Sequence, residues 1–181
     1  MLSVLIVLVL IWNVYIGYNR GIILQSFYTL GALVSLLVAH HFYVGLAHKI
    51  TLWIPYSNPV EGVATFFFKE VDLFDLSKVY YAGIAFFALF LGTYAVVRLV
   101  GVLVHFFPID YFDNQRAKVV SGILALLVSL LFVSMALSIL ATIPMPFIQN
   151  HLQASSLSRL LIEHFPPFTT VIHKLWIQAI V

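Results

Sequence analysis

Four long apolar stretches decide what this chain can fold into: residues 1–18, 22–41, 79–107 and 119–143. Crossing a bilayer as a helix takes roughly 20 apolar residues, within a range of about 17–25. A chain that offers four such segments needs lipid around it. Of the 181 residues, 62% are hydrophobic and 9% charged, whereas soluble domains carry about 25% charged residues. A water-soluble fold of this composition would expose far more apolar surface than water tolerates. The expected fold class is an all-α integral membrane protein with four transmembrane helices and interfacial amphipathic helices in the long loop and tail.

The spans are placed at about 1–18, 22–41, 79–104 and 119–143. Together they make a membrane domain over 1–143, followed by an extracytoplasmic tail over 144–181. No basic residue precedes the first apolar run and no small-x-small cleavage site follows it, so it reads as a retained span rather than a secretion signal. Trp12, Tyr15 and Tyr18 gather toward one end of it, as in an aromatic belt at the headgroups. Pro144 ends the fourth span.

Between the first two spans lies GYNRG. It reads as a tight turn in which Gly17 and Gly21 supply backbone angles that other residues disfavour, while Arg20 anchors the turn on the positive face. Arg116 and Lys118 lie in the short loop before the fourth span, and Arg98 lies toward the same side. The opposite face carries Lys49, Lys69, Lys78, Arg159 and Lys174, diluted among acidic residues. The positive-inside rule therefore puts the short loops in the cytoplasm and both termini outside.

Arg98 is the twentieth residue from Val79, about 30 Å along a helix at 1.5 Å per residue. That depth is the cytoplasmic interface, where an arginine can snorkel to water. The competing reading is a functional or inter-helix pairing, with Asp110 and Asp113 in the next loop as partners. Asn13 reads as an amide bonded to a neighbouring helix, or as a substrate contact. Gly31 with Ser35, and Ser134 with Ser138, form small-xxx-small pairs that let helices approach closely.

Enzyme chemistry finds little support. The chain has no cysteine, its seven histidines show no ligand spacing, and neither a P-loop nor a nucleophile–base pair is present. No catalytic activity, metal or cofactor is expected. With a net charge of +2 and scattered cations, no nucleic-acid partner is expected either. The expected partners are the lipid bilayer and a membrane protein or a second copy of the chain. In the loop over 42–78, FYVGLAHKITLWI and VEGVATFFFKEVDLF suit amphipathic surface helices. In the tail, SSLSRLLIEHF and VIHKLWIQAIV do the same, either covering the outer ends of the spans or offering a docking surface.

The GY-x-RG turn, a second helix opening I-I-L-Q, Arg98-Leu99-Val100-Gly101 at the end of the third helix, and Gly122 early in the fourth together resemble the colicin V production protein (CvpA) family. The resemblance covers roughly residues 1–143. It departs at Met1-Leu2-Ser3, where members often carry an Asp, and at Leu126, which stands where they often have a second glycine. It implies a small bacterial inner-membrane protein linked to colicin V production and envelope integrity. The resulting expectation is an accessory or scaffold component supporting toxin secretion or envelope homeostasis. The alternative is an oligomeric transporter or channel using Asn13, Arg98 and His105.

Overall fold

The first helix does not stop where the apolar block meets its glycine. In the computed structural model, which describes residues 1–53, 66–67, 76–104 and 114–165, α1 spans Leu2–Arg20 and α2 begins one residue later, at Ile22–Ile50. Gly21 alone breaks the helix, with φ 87° and ψ 161°, a region open essentially only to glycine. The expected turn therefore belongs to Gly21. Gly17 lies inside α1 and does different work, described below.

Helix α3 spans Leu76–Val104 and α4 spans Gln115–Ala141. Asn114 caps α4, its side-chain oxygen accepting from the Ala117 amide at 2.8 Å. Arg116 and Lys118 sit in the first turns of α4, the end where a helix dipole disfavours cations. All four helices are long and apolar enough to cross a membrane. The protein is all-α, with no strand among the described residues.

Leu5, Leu8, Ile11, Leu33, Leu37, Leu99 and Ile123 face outward, while Gln25, Ser35, Ser121, Ser134 and Ser138 are buried. Lipid tails are as apolar as leucine, so helices associate through close packing of small residues and internal hydrogen bonds. Ser35 and Ser134 are fully buried and Ser138 nearly so, which places both small-xxx-small pairs at helix contacts. Trp12 and Tyr15 are exposed, with ring centroids 6.1 Å apart, in keeping with an aromatic belt.

Helix α1 packs along α4 and α2 along α3, while α2 and α4 join the two pairs. Although one residue separates α1 from α2, the two scarcely touch beyond the turn. The inner packing of α2, α3 and α4 is aromatic. Phe132 meets Phe90 at 4.8 Å and Tyr94 at 5.2 Å between centroids, and Tyr43 meets Phe86 at 5.8 Å.

The second helix runs nine residues past the expected end of its span at 41, so FYVGLAHKI continues α2 and is not a separate surface helix. Its next helix-breaking residue is Pro55. The stretch VEGVATFFFKEVDLF lies outside the described residues except for Phe66 and Phe67, and VIHKLWIQAIV lies wholly outside them.

The described tail forms two helices. Helix α5 spans Pro146–Ala154 and α6 spans Ser156–Glu163. Ser155 is the N-cap of α6, accepting from the Ser158 amide at 3.3 Å, and its hydroxyl lies 2.8 Å from that of Ser3 on α1. Leu152, Leu161 and Ile162 pack with Ile6, Leu76 and Leu137, so the tail covers one end of the bundle. Buried Gln149 donates to the carbonyls of Ala141 and Ile143, both at 2.9 Å, satisfying groups left open where α4 ends.

Candidate functional site

At the opposite end, the single-residue turn at Gly21 lets α2 start beside the end of α1. Arg20, the last residue of α1, donates from Nη1 to Oε1 of Gln25 at 3.1 Å. Its position at a helix C-terminus is favourable for a cation. Its guanidinium carbon also lies 4.7 Å from the ring centroid of Tyr28. From α3, the Arg98 guanidinium carbon lies 4.9 Å from the same ring. Both are cation–π contacts, each worth about 0.5–1 kcal/mol when exposed and about 2 when desolvated.

Gly101 makes this convergence possible. A Cβ there would collide with the Tyr28 ring and hydroxyl, so only glycine gives the buried tyrosine its slot against α3. Gly17 acts in a similar way between α1 and α4. A Cβ on it would run into the Ala125 Cβ and lie 3.1 Å from the Ser121 carbonyl oxygen. The close approach lets the Ser121 hydroxyl reach the carbonyls of Gly17 and, at 3.0 Å, Gly21, locking the turn onto α4. At Gly122 the nearest atom to an added Cβ would be a Val14 methyl at 3.4 Å, an ordinary contact.

A cavity of about 250 Å³ opens between α1 and α3, floored by α4. From α1 it takes Val9, Asn13, Ile16 and Arg20, which share one helix face. From α3 it takes Tyr94 and Arg98, one turn apart, and from α2 it takes Gln25. Ala125, Val128, Ser129 and Phe132 form the floor. Asn13 donates to the Val9 carbonyl of its own helix at 2.8 Å, not to a neighbouring helix as the sequence led one to expect. Ser129 likewise turns to the Leu126 carbonyl at 2.9 Å. The groove is thus apolar along its length and doubly positive at the turn end.

Because both guanidiniums lie against one ring, their charges are less than about 10 Å apart. Like charges this close repel unless an anion lies between them. Among the described residues neither arginine has an ion-pair partner. The one described carboxylate, Glu163, is at the far end beside His164, at 3.6 Å. Asp110 and Asp113, the partners expected for Arg98, lie outside the described residues, as does His105.

Of the residues singled out in the sequence, Asn13, Arg20 and Arg98 come together around the groove, Gly17 and Gly21 set the helices that frame it, and Gly122 lies at the α1–α4 contact without requiring a glycine. Gln25 and Gly101, which entered only as letters of the family pattern, and Tyr28, which did not enter at all, carry the site as well. The available signal was the spacing of Arg98 and Gly101, which puts an arginine and a gap on one helix face.

The sequence model of the family described as colicin V production protein matches residues 2–166. The match extends beyond residue 143 to include α5 and α6. The uncharacterized transmembrane protein YshB of Bacillus subtilis (strain 168) is 27% identical over 179 residues, covering 98% of each chain. No solved structure matches. A multi-pass helical membrane protein matched over nearly its whole length in this way belongs to the colicin V production protein family.

Proposed function

We propose that this protein is an accessory component of the bacterial plasma membrane that supports toxin production or secretion, or upkeep of the envelope. It acts by holding other components of that membrane, membrane proteins among them, and not by catalysis. The observation that carries this reading is the groove between α1 and α3. It lies between two helices long and apolar enough to cross a membrane, where a membrane-embedded partner would insert. In this reading the turn at Gly21, with Arg20, Arg98, Arg116 and Lys118, faces the cytoplasm, and both termini face outward.

A second reading, an oligomeric transporter, draws on the presence of Asn13 and Arg98 in one cavity. Four spans are few for the inverted-repeat transporters, so this version needs several copies. Brief crosslinking in native membranes, gentle extraction and measurement of the complex mass separates the two. The accessory reading expects a discrete complex with a different membrane protein. A homo-oligomer alone, together with solute flux in vesicles, would overturn it.

A further inference from the structure

The groove has a charge at one end, a defined length and no side chain of the described residues filling it. We propose that it holds one anionic phospholipid from the leaflet on the turn side, with the lipid phosphate at Arg20 and Arg98 and one acyl chain along α1 and α4. This inference rests on reading the groove as a binding site; it names the occupant and not the protein that the complex serves.

Three observations converge on such a ligand. The first is charge. Two guanidiniums share the Tyr28 ring, and the described residues provide no carboxylate for either. Arginine forks match phosphate oxygens bidentately, and Arg20 spends one N–H on Gln25, leaving the rest of its five donors.

The second is length. From Val9 to Arg20 the groove follows α1 for about 16 Å at 1.5 Å per residue. That is about half of the roughly 30 Å hydrocarbon core, the depth of one leaflet. The arginines stand at the helix-end depth where lipid headgroups lie.

The third is the wall. Past the arginines come Ile16, Val128 and Phe132, and the two polar residues there, Asn13 and Ser129, each donate a hydrogen bond to their own helix. A volume of about 250 Å³ falls just under the range of about 300–1,000 Å³ for drug-sized ligands. This suits one chain held by the protein, with the rest of the lipid left in the bilayer. A soluble anion would use the arginines and leave this apolar length unexplained.

The test is native mass spectrometry of the full chain released from vesicles containing equal parts of phosphatidylglycerol and phosphatidylcholine. Wild type should retain one phosphatidylglycerol at least about 10-fold over phosphatidylcholine, and R20Q/R98Q should lose that preference. R116Q/K118Q removes as many cations from the same end but outside the groove, and should keep it. S129W leaves both arginines in place and fills the floor, so it should lower retention even if R20Q/R98Q fails to fold. Equal retention by S129W and wild type would overturn the proposal, as would an equal loss in R116Q/K118Q. Absence of preference in wild type would do the same and would point to neutralisation of the arginines by Asp110 and Asp113. Displacement of the lipid by millimolar inorganic phosphate would assign a free-anion site instead. A missing lipid alongside a discrete hetero-complex refutes this inference alone, whereas a retained lipid without any protein partner refutes the protein-partner reading alone.

Discussion

Replacing Gly17 with alanine adds one methyl group at the tightest contact between α1 and α4. The new Cβ would overlap the Ala125 Cβ and press on the Ser121 carbonyl at 3.1 Å. Neither atom sits on a flexible side chain, so the helices must separate and the Ser121 hydroxyl must give up its hold on the turn. Overpacking of this kind costs about 1–3 kcal/mol. Alanine recovers up to about 1 kcal/mol through its better helix propensity. With the full propensity gain, the expected net loss is therefore about 0–2 kcal/mol. Gly122→Ala, one turn from the same contact, meets nothing nearer than 3.4 Å and keeps the propensity gain of about 1 kcal/mol unopposed. Unfolding of the detergent-solubilised protein by titration with sodium dodecyl sulfate compares the two directly. Adding Ala125→Gly to Gly17→Ala removes the worst overlap, so the double change should cost at least about 1 kcal/mol less than the sum of the two single changes, a coupling that independent sites would not show. Gly17→Ala as stable as Gly122→Ala, or additive effects of Gly17→Ala and Ala125→Gly, would refute the packing argument and return Gly17 to an ordinary helix position.

Four other perturbations probe the rest of the molecule. Gly21→Ala forces a side chain into φ 87°, ψ 161°, and should cost about 1–3 kcal/mol in the same titration. Tyr28→Phe keeps the ring under both arginines and should be nearly neutral, whereas Tyr28→Leu should lose about 1–2 kcal/mol; equal effects would argue against the cation–π contacts. Gln149→Leu strands the carbonyl of Ala141, while that of Ile143 keeps the Met145 amide at 2.8 Å, at about 1–3 kcal/mol for a buried group left unmade, and should speed trypsin cleavage after exposed Arg159. The chain has no cysteine, so single cysteines report topology: in intact cells an impermeant maleimide should label exposed Ser156→Cys and spare exposed Asn19→Cys, and the reverse pattern would invert the orientation.

The sequence exposes the four spans because lipid imposes a simple demand, about 20 apolar residues in a row. It exposes less of where helices end. Polarity around His40, His41, His48 and Lys49 marks where the hydrocarbon stops, yet α2 continues to Ile50 because hydrogen bonding inside a helix does not need lipid. Pro144 was legible as a stop, but Pro146 two residues later is a start, at the first turn of α5, where a missing amide hydrogen costs nothing. Arg98 could be placed near the end of its helix by counting residues. Its partner Tyr28 could not, because that contact depends on a gap at Gly101 and on which helix lies alongside.

The order of helix pairing is the step that local patterning does not supply, and it is also the step that creates the site. Chain order would pair α1 with α2 and α3 with α4. Close approach instead favours α1 with α4 at Gly17, and α2 with α3 at Gly31, where an added Cβ would collide with Val97, and again at Gly101. In a bilayer, where burial of apolar surface gives helices no reason to prefer one another, such small-residue contacts decide the arrangement. Pairing α1 with α4 and α3 with α2 leaves α1 and α3 flanking a common floor, packed chiefly on other helices and not on each other. The last turn of α1 then delivers Arg20, and the last turns of α3 deliver Arg98, to the same tyrosine at the head of the gap. The groove and its paired charges are thus one consequence of where three glycines fall, and filling any of those three positions should disturb the arginines from a distance.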